Sequence, residues 1–436
     1  IFVKMPNNFK NELEWRGLIQ DVTNGFDDEI NKNCVPAYIG FDPTSDSLHI
    51  GSLVQLVILR HFQICGHKPI VLIGGATGMI GDPSGKSKER NLLSADVIEK
   101  NISALKIQFS KFLDFDEKNP NAAIIVNNYE WNSKLNIIEF FRDFGKLLTV
   151  NYMMSKDSVK KRISNSDLSE GMSFTEFTYQ LFQAYDFYYL IENYNCTIQM
   201  GGSDQWGNIT SGVELIRKKK GKKAYALTCP LITKSDGSKF GKTEEGNVWL
   251  DRRKTSPYKF YQYWLNSSDE DSYKYVKIFT FAKKEFIEKL IKDHNDEPHL
   301  RKLQKFIAEE ITTMVHSEED LKNVKNASSI LFGKNTEQDL SLIDEETFLD
   351  VFSGVPHKEL TKSELTDCKL AENLLEKSGF FSSKSEIRRL IDQNSISINK
   401  AKINSEFKIS DLNLINNKYI LLQKGKKNYF LIILIT

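Results

Sequence analysis

The sequence predicts an α/β fold: a parallel sheet covered by helices, then an all-helical domain, then a small α+β domain. Three observations carry this reading. Apolar segments of strand length alternate with helical segments through the first 250 residues, which is the pattern of a parallel sheet with crossover helices. From Asp251 amphipathic helical segments replace the alternation, and from Leu365 the chain starts again with short helices, short strands and a basic balance. The expected domains are residues 1–250, 251–350 and 365–436. A chain of 436 residues accommodates two to three domains at about 150 residues each.

Residues 35–41 are the first strand, ending at Asp42-Pro43. Residues 49–65 form a strongly apolar helix closed by Gly66. Residues 69–73 are a buried strand running into Gly74-Gly75-Ala76-Thr77-Gly78, and residues 122–126 and 197–200 are further strands. The aromatic stretch 174–194 is helical, and residues 225–233 are a strand. This alternation is Rossmann-like, and in such sheets ligands sit at the carboxyl ends of the strands. Beyond Asp251, residues 257–265, 283–292 and 300–316 read as helices and the acidic stretch 333–350 as a linker. The last domain should contribute two short helices and strands at 396–398, 407–409, 419–422 and 429–435.

With 59 basic and 58 acidic side chains the net charge is +1, so there is no global bias toward nucleic acid or membrane. Residues 365–436 hold twelve Lys and Arg against seven Asp and Glu, a local +5. That suits either a polyanion partner or a lysine-rich solvated surface. The five cysteines are scattered, with no Cys-x-x-Cys and no zinc-ligand spacing. They suit a reducing cytoplasm and give no expected metal site. The first residues carry no targeting pattern. The apolar end at 429–435 is far too short to span a bilayer.

Two segments carry chemistry. In Pro43-Thr44-Ser45-Asp46-Ser47-Leu48-His49-Ile50-Gly51-Ser52 a strand end turns into a helix. A helix N-terminus offers free N–H groups and positive dipole to phosphate. His49 stands there as a donor, and Gly51 leaves room for a flat ring against the backbone. In Gly237-Ser238-Lys239-Phe240-Gly241-Lys242-Thr243 two ammonium groups flank a glycine and are suited to close over a leaving pyrophosphate. Alone, the first is equally a helix start and the second a hairpin turn. Together, in this order on an α/β pattern, they indicate cleavage of a nucleotide between its α- and β-phosphates. Tyr179, Gln183 and Asp186, at i, i+4 and i+7 of one aromatic helix, share a face. Burying three polar groups there demands partners. Gly85-Lys86-Ser87 is no Walker loop, because that motif needs glycine where Ile80 stands.

Both segments resemble the two signature motifs of class I aminoacyl-tRNA synthetases, and the chain from about Glu14 onward resembles the bacterial-type tyrosine-specific members. The most specific stretches are Tyr38-Ile39-Gly40-Phe41-Asp42-Pro43-Thr44, residues 74–85, residues 179–186 and Gly201-Gly202-Ser203-Asp204-Gln205-Trp206-Gly207-Asn208. Two departures stand out. Ser52 replaces the usual second His, and the second motif reads Lys-Phe-Gly-Lys-Thr.

The resemblance implies a site for each substrate. Tyr179 and Gln183, helped by Asp82, hold the tyrosine ammonium. Tyr38 and Asp186 bond its phenol, and Gln205 lies near its carboxylate. Gly40, Asp42, Thr44, His49, Gly51, Ser52, Gly202, Asp204 and Lys242 belong to the ATP site. Asp204 takes a ribose hydroxyl there. Lys239, Lys242 and Thr243, with Lys86 and Arg90 on a mobile basic segment, engage the pyrophosphate.

The end of the chain resembles a small RNA-binding domain first described in a ribosomal small-subunit protein, with Lys384, Arg388 and Arg389 facing RNA. The run Arg217-Lys218-Lys219-Lys220-Gly221-Lys222-Lys223 is either a solvated loop or a contact to the tRNA acceptor arm. The implied partners are L-tyrosine, ATP with Mg²⁺, tRNA specific for tyrosine, and a second copy of the chain, the last through residues 135–152. A tryptophan-specific relative and a non-catalytic RNA-binding descendant are the alternatives.

Overall fold

The computed structural model describes residues 8–82, 84, 93–164, 172–243, 246–332, 340, 343–425 and 428–435. The chain divides into two compact units: Ile1–Lys254 with Trp264–Val315, and Thr255–Tyr263 with His316–Thr436.

The first unit is built on a six-stranded sheet. Its strands are β1 (Asp21–Val22), β2 (Pro36–Phe41), β3 (Lys68–Ile73), β4 (Ile124–Asn127), β5 (Ile198–Gly202) and β6 (Tyr225–Cys229), in the order β1-β6-β5-β2-β3-β4. All neighbours are parallel except β1 with β6. Strands β3 and β6 are almost wholly buried, and β2 is buried except at Pro36 and Gly40, as a sheet covered on both faces requires. The predicted strand 225–233 is shorter than expected and stops at Cys229, before Pro230 removes a donor.

Strand order reverses between β2 and β5. These two pair only at Ala37 with Ile198 and Tyr38 with Gln199, whereas β2 and β3 pair over the full length of β2. Past Tyr38 and Gln199 the strands part, and a cleft opens at their carboxyl ends. The helix Phe174–Tyr194 starts with a capping box, Ser173 with Glu176, and ends at Asn195 in the left-handed conformation. Its buried side contributes Leu181, Ala184, Phe187 and Leu190 to a core shared with Tyr38, Ile70, Leu72 and Val126 of the sheet. Helix Ile50–Ile64 buries Leu53, Leu56, Val57 and Ile58.

Following β6 in sequence, β7 (Lys242–Thr243) and β8 (Gly246–Asn247) form a two-stranded ribbon in the first unit. The second unit holds a five-stranded sheet. Its strands are β9 (His357–Thr361), β10 (Ile396–Ile398), β11 (Ala401–Lys402), β12 (Tyr419–Lys424) and β13 (Asn428–Ile435), in the order β11-β10-β12-β13-β9. Helices Ala371–Ser378 and Lys384–Asp392 bury Leu374, Leu375, Ile387 and Ile391 in the small core.

Two expectations differ from the structure here. Residues 407–409 are not a strand. Their backbone groups make one isolated antiparallel bridge, Lys408 with Leu370, in which Ala371 N–H donates to the Phe407 carbonyl and Ile409 N–H to that of Lys369, and the chain then turns into a 3-10 helix at Ile409–Asp411. The stretch 333–350 is not all linker. Asp344 caps a helix over Glu345–Val351 by accepting from Thr347 N–H. Residues 333–339 and 341–342 of that stretch lie outside the described residues.

Candidate active site

The cleft between β2 and β5 is a cavity of about 410 Å³. Its inner end is closed by Tyr38 and Asp186. Asp186 is 1 % exposed and accepts from Asn128 Nδ2 (2.8 Å), Trp131 Nε1 (2.7 Å) and Asn132 Nδ2 (2.8 Å). Burial pushes its carboxyl up to about 7, against the downward pull of the three donors. The Tyr38 hydroxyl is buried and has no hydrogen-bond partner among the described residues. Burial and then the Asp186 charge raise its pKa well above the ordinary range, so the two groups are within electrostatic reach. An unpartnered buried hydroxyl costs about 1–3 kcal/mol. A ligand hydroxyl set between these two groups removes that cost.

The middle of the cavity is acidic. Tyr179 donates its hydroxyl to Asp42 Oδ2 at 3.1 Å, Thr77 Oγ1 donates to Asp42 Oδ1 at 2.9 Å, and Asn128 Nδ2 donates to Thr77 Oγ1 at 3.0 Å. Asn128 thereby links the inner and middle groups. Burial first, then Asp42 and Asp82, raise the Tyr179 phenol well above its ordinary pKa. Asp82 accepts from Gln205 Nε2 (2.7 Å), Asn208 Nδ2 (3.3 Å) and Ser84 N–H (3.0 Å), and Gln205 also donates to Asp204 at 3.1 Å. Gln183 lines the same wall. Four carboxylates line this cavity with no Lys or Arg in its wall among the described residues. That field favours a cation, such as an amino acid's ammonium group.

The outer end is made by the first motif. His49 caps helix Ile50–Ile64, and its Nδ1 accepts from Gly51 N–H at 3.0 Å. A neutral ring therefore carries its proton on Nε2. A Cβ at Gly51 would lie 2.6 Å from Cε1 of His49, so glycine makes room for this imidazole. Gly40, Thr44 and Ser52 flank it: Thr44 and Ser52 line the cavity, as does the Gly40 backbone in β2. Gly202, the last residue of β5, sits where a Cβ would press on Asp204 Oδ1 at 2.5 Å.

The second motif lies alongside the first. Ile50 N–H donates to the Val248 carbonyl, Leu250 N–H to that of Leu48 and Val248 N–H to that of Gly241, each at 2.9 Å. Gly241 has φ +82°, and a Cβ there would stand 3.0 Å from Ile50 Cγ1. Lys239 and Lys242 do not line the cavity, and Lys239 is exposed. Thr243 pairs through β7 with Gly246. Lys86 and Arg90 lie outside the described residues.

The basic run at 217–223 is engaged within the chain. Arg217 and Lys218 pair with Glu214, Lys220 and Lys222 pair with Glu192, and Lys219 donates to the Asp143 carbonyl. In the second unit Lys384 pairs with Glu376 and Arg388 with Glu372, both at 2.9 Å, while Arg389 is exposed beside them on the same helix.

Sequence reasoning missed the residues that hold the site groups in place. Asn128, Trp131 and Asn132 follow β4, at the strand end that the parallel-sheet rule flags. Asn101 donates to the Pro43 carbonyl, while Gln108 donates to Ser47 Oγ and accepts from Leu48 N–H, so the two hold the turn before His49. Their signal was available. Both fall on the buried face of helix Ala95–Phe109 among Ile98, Ile102, Leu105 and Phe109, where a polar residue needs a partner.

Residues 31–333 match the family of class I tRNA synthetases for tryptophan and tyrosine, and residues 347–432 match the C-terminal domain of tyrosine–tRNA ligases of the SYY type. The chain is 58 % identical to a tyrosine–tRNA ligase of Flavobacterium johnsoniae, covering 98 % of this chain and 99 % of the relative. The corresponding enzyme of Bacteroides thetaiotaomicron is 55 % identical over the same shares. Among solved structures, a C-terminally truncated mitochondrial tyrosyl-tRNA synthetase of Aspergillus nidulans superposes with a TM-score of 0.66 at 31 % identity, over 75 % of this chain and 94 % of that one. A parallel sheet splayed around an acidic cavity, with both signature motifs side by side, agrees with these likenesses: the chain belongs to the bacterial tyrosyl-tRNA synthetases of class I.

Proposed function

We propose that this tyrosine–tRNA ligase works in two steps on the cavity between β2 and β5. In the first, the tyrosine carboxylate attacks the α-phosphate of ATP, supplied as its Mg²⁺ complex. Tyrosyl-adenylate forms and pyrophosphate leaves. In the second, a hydroxyl at the 3′ end of tRNA attacks the activated carbonyl and releases AMP. The carboxylate is ionised at neutral pH, so the first step needs no general base. Its acceleration comes from positioning and from charge stabilisation.

The observation that carries the reading is the buried Tyr38 hydroxyl, without a partner among the described residues and within reach of the Asp186 carboxylate. In this assignment the substrate phenol bonds both. Its ammonium lies among Tyr179, Gln183 and Asp82, and its carboxylate points past Gln205 toward His49. Asp204 takes the ribose. Asp42 and Thr44 flank the phosphates. His49 donates from Nε2 to a phosphate oxygen, and the glycine-containing loop of Lys239 and Lys242 closes over the leaving pyrophosphate, joined by Thr243, Lys86 and Arg90. Lys384 and Arg388 exchange their carboxylate partners for RNA phosphates, and the exposed Arg389 joins them.

Exposed apolar side chains at Ile137, Ile138, Phe141 and Val150 fall within residues 135–152, which supports a homodimer through this region. No described helix is long and apolar enough to cross a membrane. Five free cysteines favour work in the reducing cytoplasm. The deciding experiment is ATP–pyrophosphate exchange with tyrosine, tryptophan and phenylalanine in turn. Exchange with tyrosine alone is expected. Exchange driven by tryptophan, or none with any of the three, overturns the assignment.

A further inference from the structure

The strip 248–251 that joins the two motifs is gripped by more than its backbone bonds. Lys254 Nζ forms an ion pair with the Asp46 carboxylate and donates to Ser45 Oγ at 3.2 Å, both on the turn before His49. The same ammonium stands 4.7 Å over the Trp249 ring. Trp249 in turn bridges to His49 through the backbone, meets its imidazole edge-on at 6.2 Å and lines the cavity. Asp251 N–H adds a bond to Ser47 Oγ at 3.2 Å. Lys254, acting first through its hydrogen bond, holds the Asp46 carboxyl below its ordinary pKa.

Magnitudes indicate what this arrangement does. Lys254 and Asp46 side chains are 32 % and 30 % exposed. An ion pair that open to solvent contributes about 0–1 kcal/mol to folding. Its effect is therefore on local geometry: it connects the turn that presents His49 to the strip that anchors the loop of Lys239 and Lys242. We infer that Lys254 is a positioning residue for adenylate formation, clamping that strip to the His49 turn through Asp46 and Trp249. The inference rests on the two-step reading above. It commits Lys254 to an internal partner and assigns it no contact with phosphate.

The test uses the full chain and ATP–pyrophosphate exchange. Lys254→Ala should slow exchange by about 10- to 100-fold, the scale of a catalytic group misplaced by about 1 Å. The tyrosine dissociation constant and the melting temperature should stay at wild-type values. Lys254→Arg should recover most of the rate, since guanidinium serves both the carboxylate and the indole face. Asp46→Asn should reproduce the Lys254→Ala defect, and the double variant should add little to either. Wild-type exchange by Lys254→Ala overturns the inference, and so does a parallel loss of tyrosine affinity. A Lys254→Ala defect without an Asp46→Asn defect overturns it in favour of direct phosphate contact. Absence of tyrosine-dependent exchange in the unaltered protein instead refutes the underlying function.

Discussion

At the scale of single residues, Tyr38 and Asp186 make opposite demands on folding and on binding. Tyr38→Phe removes a hydroxyl that has no partner among the described residues of the free protein, so thermal stability should hold or rise. It also deletes one bond to the substrate phenol, worth about 0.5–1.5 kcal/mol, which predicts a loss of about 2- to 13-fold in kcat/KM for tyrosine in the exchange assay. A simple packing role would instead lower the melting temperature. Asp186 adds a pH dependence. Its carboxyl rises from 3.8 to about 7 on folding, because burial disfavours the charge. Between those values the folded protein holds a proton that the unfolded chain has lost. This stabilisation is thus complete below pH 3.8 and disappears as pH rises through about 7. Tyrosine binding runs the other way. The ionised carboxylate is the better acceptor for a phenol, so calorimetric affinity should increase from about pH 6 to 8, and Asp186→Asn should flatten that rise. Helical spacing marked Asp186 in the sequence, whereas Tyr38, on a strand, was marked only by the family resemblance. Asn128, Trp131 and Asn132 were marked by neither, because they are brought to Asp186 from another element and share no periodicity with it.

At the scale of elements, the outer end of the cavity is an interlock between a helix start and a returning strip. Gly51 is small because the His49 ring occupies the space where its side chain would be. Gly51→Ala should displace the imidazole while leaving the helix intact, since alanine favours helix by about 1 kcal/mol over glycine. Single-turnover adenylate formation should fall by about 100-fold, the effect of about 1 Å of misplacement, with the tyrosine dissociation constant unchanged. Equal losses in both would show that Gly51 serves the amino-acid pocket instead. Strands and helices whose hydrophobic runs were long, such as β3 and Phe174–Tyr194, were read correctly from sequence. The errors have local causes: Pro230 cuts short the strand expected to reach residue 233, and the Asp344 cap starts a helix inside the expected linker. Residues 407–409 have strand composition, yet they bond to 369–371 at a helix start. The strip 248–251 offers no periodic signal at all, since its partners are fixed by the fold.

At the scale of the whole molecule, the proposed chemistry and RNA capture reside in different units, so they should fail separately. Arg388→Ala combined with Arg389→Ala should leave tyrosine-dependent exchange unchanged. The same variant should weaken tRNA charging several-fold and reduce the slope of log affinity against log salt by about 0.7–0.9 for each phosphate that is no longer neutralised. Intact charging would assign that helix to packing alone. The charge balance of the last 72 residues pointed to this unit, but the sequence did not reveal that Glu372 and Glu376 already neutralise two of the chosen cations. The parting of β2 and β5 has a broader consequence. Two rungs are all that join the halves of the sheet at that seam. A tyrosine gripped by Tyr38 and Asp186 on one side and an adenosine by Asp204 on the other would act as a cross-brace over it. Saturating ligand at about 100 times its dissociation constant adds about 2.7 kcal/mol to any fold that binds it. Here the extra protection from hydrogen exchange should appear first in the amides of Ile39–Phe41 and Met200–Gly202, the unzipped ends of the two strands.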